Sequence, residues 1–570
     1  MSRALLCLLT VGLSAGSLAA LSFDPQAAGG QPPSSAPRAG QVPRRDGGPR
    51  TTGTSRIRGR VIAADTGGPL RRAQVRATSI DTRESRLTST DADGRYEFKD
   101  LPQGRYRIDV TKGGFVSLAY GQLRAFEAGK PLEIADAQVA DRINFALPRG
   151  AVMTGRIVDE FGEPVTDARV MAMRYQYVQG RRQLNASGRQ GTTNDIGEYR
   201  IFGLAPGQYV LSATMPTASA MTMTDAPTDD RLGYAPTYYP GTPDASQAQR
   251  VTIGVGQALS ELNMPLVPVR TARVNGTAFD SQGRPLSGAM LLALQRSGAT
   301  MLSTSGTQVR PDGSFTVASL APGDYELQVL NYGSIGDRSE MATGHVSVAG
   351  EDVNGVELVG LKATSGVGRV IMDPGPSRFP AAANLHVFAT PARPEDDSPA
   401  AISAGGEVRD DYTFEVKARP GRVLLRADTP PGWTLKAVRH HGEDVTDAGI
   451  EFRRNEAADG IELELTNKTT EVSGIVTRGV EPIKDYTVVV FSTARERWGY
   501  MSRFFQTGRP DQDGRYTVKG LPPGQYYAVA LDYVDPGEAA DPELLDRIKE
   551  QATTFDLAEG QTKPLDLRIR

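Results

Sequence analysis

His440-His441-Gly442-Glu443 is the first place in this chain where residue types and spacing suggest chemistry. It spells the H-x-x-E pair with which a zinc hydrolase holds its metal and polarises water, a site that also needs a third protein ligand. The other histidines, His345 and His386, both precede the pair, so no downstream histidine completes the set. The flanks, Trp433 to Val438 and Gly449 to Phe452, alternate as strands do, which predicts a polar turn between strands. Asp91-Ala-Asp-Gly94 and Asp511-Gln-Asp-Gly514 resemble the start of a calcium loop but lack its further oxygen ligands and its distal glutamate. Both occur where a hairpin must reverse, so turn chemistry is expected. Cys7 is the only cysteine, the G-x-S-x-G match at Gly12 to Gly16 falls in the apolar N-terminal run rather than on a strand-to-helix elbow, and no phosphate-binding glycine loop occurs. We therefore expect no catalytic residues, no metal and no cofactor.

Aromatic clusters are the remaining candidates, because flat rings with polar neighbours are suited to sugar recognition. Trp498, Tyr500 and Phe504 are spaced by two and four residues. In an extended segment they would line one side as a strip, with Arg495, Arg497 and Arg503 nearby to bond hydroxyls or a carboxylate. Trp498, Tyr500, Phe504, Arg495 and Arg497 form the candidate carbohydrate site. Tyr175 and Tyr177 share outward parity, and Tyr234, Tyr238 and Tyr239 lie in a proline-rich loop.

The elements that must position these residues recur along the chain. A short β pattern around a glycine opens each unit: Ile57-Arg-Gly-Arg-Val61, Met153-Thr-Gly-Arg-Ile157, Val274-Asn-Gly-Thr-Ala278 and Val472-Ser-Gly-Ile-Val476. A proline turn and second strand follow, as in Pro69-Leu-Arg-Arg-Ala-Gln-Val75 and Pro164-Val-Thr-Asp-Ala-Arg-Val170. The third element is the most regular. It reads Gly94-Arg-Tyr-Glu-Phe-Lys-Asp-Leu-Pro-Gln-Gly-Arg-Tyr106 in the first copy and returns at Gly197–Tyr209, Gly313–Tyr325 and Gly514–Tyr526. Turn, inward aromatic, core leucine, Pro-Gly reversal and tyrosine keep their spacing in all four. Two short strands close each unit. A looser copy lies between Gly366 and Leu465, where the interval from Tyr412 to Pro420-Gly421 is one residue out of register.

The chain of 570 residues exceeds what one hydrophobic core serves. With 64 Lys and Arg against 67 Asp and Glu, the net charge of -3 gives no field for a polyanion, so nucleic acid is not an expected partner. Arg3, the apolar run Ala4 to Leu13 and the small residues around Ser17-Leu-Ala19 read as a secretion signal, residues 1–19. Cleavage would leave no cysteine and no transmembrane segment. Residues 20–54, rich in Gly, Pro and Arg, read as a disordered linker. Modules are expected at 55–150, 151–269, 270–362, 363–468 (degenerate) and 469–570, strung in series as an elongated particle.

These repeated elements resemble the carboxypeptidase regulatory-like family, whose fold is a transthyretin-like, seven-stranded Greek-key β-sandwich. The opening glycine, the Pro-x-x-x-Ala-x-Val element and the Gly-x-Tyr-x-Val-x-x-Leu-x-x-Gly-x-Tyr element carry the likeness. Four copies match well and one loosely. The resemblance implies an all-β tandem array of about five sandwiches in a secreted bacterial protein, related in fold to carbohydrate-binding domains. Taken together, the expected function is a non-catalytic binding or adhesion array, periplasmic, outer-membrane-associated or extracellular. Its expected partner is a polysaccharide or cell-envelope component. The alternative is a structural spacer or docking protein for an outer-membrane assembly of the TonB-dependent transporter type.

Overall fold

The computed structural model describes residues 52–178, 180–215, 232–297, 300–330, 340–373, 379–393 and 405–569. The expected signal, with Cys7, and nearly all of the expected linker lie outside the described residues. Within them the chain is a tandem array of β-sandwiches. The glycine strand of each module (Ser55–Ala63, Ala151–Val158, Ala272–Phe279, Thr364–Met372, Glu471–Arg478) has two kinds of neighbour. On one side it pairs antiparallel with the strand of the third element. On the other it pairs parallel with the closing strands. In the facing sheet, the strand after the proline turn pairs antiparallel with the strand that follows Pro-Gly, as Gln74–Ser79 does with Gly104–Thr111. Alternate residues of both sheets meet in a separate core for each module, for example Ile57, Val61, Val75, Tyr96, Phe98, Tyr106 and Ile108 in the first. In the third module the two sheets are continuous, joined through Glu340–Val348 and Val353–Lys362.

The repeated residues have direct structural reasons. A Cβ on Gly59, Gly155, Gly276, Gly368 or Gly474 would overlap the carbonyl of Ile143, Leu262, Val356, Ile461 or Leu565 respectively, because the closing chain crosses there. The inward aromatic lies opposite this glycine in the ladder: Tyr96, Tyr199, Phe315, Phe414 and Tyr516. The three tyrosine hydroxyls donate to that same carbonyl at 2.6, 2.7 and 2.5 Å. The second tyrosine donates to the carbonyl four residues back, from Tyr106, Tyr209, Tyr325 and Tyr526 to residues 102, 205, 321 and 522, at 2.6–2.8 Å. One motif thus ties the closing strand and the Pro-Gly corner to the core.

The looser copy is a sandwich too, and the one-residue offset is explained. Phe414, not Tyr412, faces Gly368, and Tyr412 occupies the turn position with a φ of 62°. The other copies carry a positive-φ residue before the corner (Asp100, Gly203, Ser319, Gly520) that this one lacks.

Burial pushes the Tyr209 hydroxyl up to about 12 and raises those of Tyr96, Tyr199, Tyr325, Tyr516 and Tyr526 still further. Below pH of about 10, folded and unfolded chains both hold these protons. Above it only the unfolded chain releases them, so stability should fall by about 1.4 kcal/mol per pH unit for each such tyrosine. The fourth module has Phe414 and Val423 in the two places. Limited proteolysis between pH 10 and 12 should therefore cut that module last, and simultaneous loss of all five would contradict this account.

Candidate functional site

The H-x-x-E sequence is a hairpin turn. His440 pairs with Glu443 across it, and His441 and Gly442 at its tip have φ of 51° and 86°. The His441 ring faces Asp459 at 3.4 Å and is well exposed. Among the described residues no group of three or more His, Cys, Asp or Glu side chains is placed to hold a metal. In both Asp-x-Asp-Gly turns the first carboxylate accepts two backbone N–H groups, Asp91 from Asp93 and Arg95, and Asp511 from Asp513 and Arg515, at 2.8–2.9 Å. Asn194 does the same in the second module. These side chains build turns.

The expected aromatic strip does not form. Arg495–Arg497 is a turn of 3₁₀-helix rather than extended chain, so the parity that put the rings on one side is lost. Trp498 is 5 % exposed, packs edge-on against Phe491 at 5.3 Å and donates its indole N–H to the Ser492 carbonyl. Phe504, 6 % exposed, belongs to the main core of the last module, and Tyr500 is half-buried. The short helix Pro542–Ile548 adds Leu545 and Ile548 to the Trp498 cluster. Arg495 is paired with Asp546 of that helix at 2.9 Å, and Arg497 lies over the Phe504 ring at 4.4 Å. Arg503 binds Asp447 of the fourth module at 3.0 Å. Trp498→Phe should cost about 1–2 kcal/mol by stranding the Ser492 carbonyl. A melting curve that did not move would show that the indole bond contributes nothing.

The modules are not strung in series either, because residues distant in sequence join them. Glu127 of the first module, its side chain 3 % exposed, accepts from Arg509 of the last at 2.5 Å. Its second oxygen accepts the N–H groups of Leu123 and Arg124. Arg509 also binds Asp485 at 2.9 Å, which lies 3.4 Å from Lys130. Burial lowers the Lys130 pKa. The Gln512 amide bonds both backbone groups of Glu133 on an edge strand. The second module joins this contact. Gly180, at its hairpin tip, lies so close to Ala540 that a Cβ would strike the carbonyl, and Gly537 stands likewise to Tyr177.

A cleft of about 370 Å³ opens between the first and second modules. One wall is the outer face of the first module's sheet, where Arg76 stands between Leu87 and Asp109 in a single cross-strand row. The other wall carries Ser187 and Arg189 on Arg181–Thr192. Phe126 and Glu127 complete the lining, the former with the Arg174 guanidinium over its ring at 3.2 Å. Arg107 is paired with Asp109 at 3.0 Å. Neither these cleft residues nor the ionic contact with the last module was anticipated from the sequence.

Repeated sandwiches whose signature polar groups bond inward, joined by an ionic contact and a cleft, define the class: a tandem β-sandwich protein. Residues 56–148, which make up the first module, match the carboxypeptidase regulatory-like domain. No curated protein matches the chain. Among solved structures it is similar to a streptococcal ancillary pilin, at 13% identity over 54% of this chain and 98% of that one, TM-score 0.19. It is also similar to the Bacillus anthracis TIE protein, at 11% identity over 73% and 72%, TM-score 0.15. A third is GBS52, a minor pilin of Streptococcus agalactiae, at 12% identity over 38% and 97%, TM-score 0.22. Likenesses at these TM-scores decide nothing about function. Among the described residues no helix is long and apolar enough to cross a membrane.

Proposed function

We propose that the chain is an exported, non-catalytic binding or adhesion array with a carbohydrate ligand, acting at the cell envelope or outside the cell. The cleft between the first two modules carries this reading. The repeated tyrosines and aspartates are used in turns and cores, whereas the cleft offers polar groups that no fold requirement consumes. A trough of this volume, walled by a sheet face, suits a short stretch of a polymer. The contact between first and last modules favours a compact binding platform over an extended spacer.

A glycan array probed with the secreted form is expected to retain at least one polysaccharide. Failure on every glycan, with capture of an outer-membrane protein, would replace this reading by the docking one. N-terminal sequencing of the exported protein is expected to start at Ala20. A start at Met1 would overturn the secretion signal.

A further inference from the structure

The same cleft contains a selective feature. Arg76 and Arg189 line opposite walls, and neither side chain has an ion pair or hydrogen bond among the described residues. The Arg189 guanidinium lies flat against the chain at Gly203, where a Cβ would be 3.2–3.4 Å from it. Such unpaired guanidiniums on facing walls attract anions, and each can hold a carboxylate through two parallel N–H bonds. The acidic groups of the cleft do not cancel them. Asp109 is neutralised by Arg107, and Glu127 by Arg509 together with two backbone N–H groups.

An uncharged polar group accompanies them: the exposed Gln74 amide has no hydrogen-bond partner among the described residues. Leu87, 58% exposed, lies directly across from Arg76 and offers an apolar surface. Two cationic donors, an amide and an apolar patch together match a sugar ring that carries a carboxylate. A bare anion would use only the arginines.

We propose that this cleft binds an acidic polysaccharide through its uronate carboxylates, with Arg76 and Arg189 as the anion-holding residues. The inference rests on the carbohydrate reading above and narrows it to one class. Selectivity over neutral glycans follows, because a neutral ring leaves both guanidiniums unsatisfied within the cleft.

Titration calorimetry of the full mature chain with a galacturonate tetramer tests this. Its methyl ester, a neutral tetramer and inorganic sulfate serve as comparisons. The acid should bind, and Arg76→Gln and Arg189→Gln should each weaken it about tenfold without moving the melting temperature, since neither side chain is paired. Esterification should weaken binding as much as the double variant does. Arg182→Gln, on the same strand as Arg189 but stacked on Tyr175, should have no effect. Equal binding of acid and ester, unchanged affinity in both variants, or sulfate competing at the concentration of the sugar would each overturn the proposal. Retention of neutral glycans alone on the array would overturn it while leaving the carbohydrate reading in place. Retention of no glycan would remove both.

Discussion

Gly155→Ala is expected to unfold the second module at temperatures where the other four remain folded. A Cβ there would overlap the Leu262 carbonyl and sit 2.9 Å from the Tyr199 hydroxyl. The φ of Gly155 is not in the left-handed region, so the cost is one of space alone. The closing chain would have to retreat, breaking the Leu262 N–H bond to Thr154 and the Tyr199 bond to Leu262 together. Overpacking plus two lost buried hydrogen bonds should exceed about 4 kcal/mol. Two comparisons separate the causes. Tyr199→Phe removes only the hydroxyl and should cost about 1–2 kcal/mol, a change that Phe315 and Phe414 show the fold can accept. Gly162→Ala, at a φ of 83° with open space around it, tests left-handed strain alone and should cost about 1–2 kcal/mol. Calorimetry would resolve the second module's transition. If Gly155→Ala melted with the wild type, the crossing carbonyl would not be the reason for the repeated glycine.

This glycine was visible in the sequence because its consequences are local and repeated. The turn, the inward aromatic, the Pro-Gly corner and the second tyrosine lie within thirteen residues of one another, so their spacing records their packing. The aromatic strip failed for a reason that the same sequence contains. Val488-Val-Val-Phe491 is apolar without alternation, which indicates a strand covered on both faces. Val488 and Val490 enter the main core, while Val489 and Phe491 need a cover, which Trp498 and the helix at Pro542–Ile548 supply. Asp541-Pro542-Glu543 announces that helix by its cap, its first-turn proline and its acidic residue. The cleft was hidden for a different reason. Arg76 and Arg189 sit at outward strand positions that read as ordinary solvated surface until two modules face each other.

The ionic contact between the first and last modules was hidden most completely, since Glu127 and Arg509 are 382 residues apart. Arg509→Met is expected to open the array, seen in solution scattering as a larger radius of gyration than that of the wild type. The side chains of Arg509 and Glu127 are 8% and 3% exposed, so removing one partner leaves a charge with little access to water. Breaking a pair so buried costs about 3–5 kcal/mol. Replacing both, as Glu127→Met with Arg509→Met, should cost less than the sum of the single changes, because neither charge is then stranded. Lys130, held by Asp485 and by the Lys484 carbonyl, and the Gln512 amide on Glu133 would remain and set how far the array opens. High salt should open the wild type little, since buried pairs are screened far less than exposed ones. Amide exchange at Leu123 and Arg124, whose N–H groups bond the Glu127 carboxylate, should quicken in Arg509→Met as that carboxylate loses its anchor. An unchanged radius together with unchanged exchange at these two amides would show that the pair does not hold the modules together, and that the backbone contact of Gly180 with Ala540 does so instead.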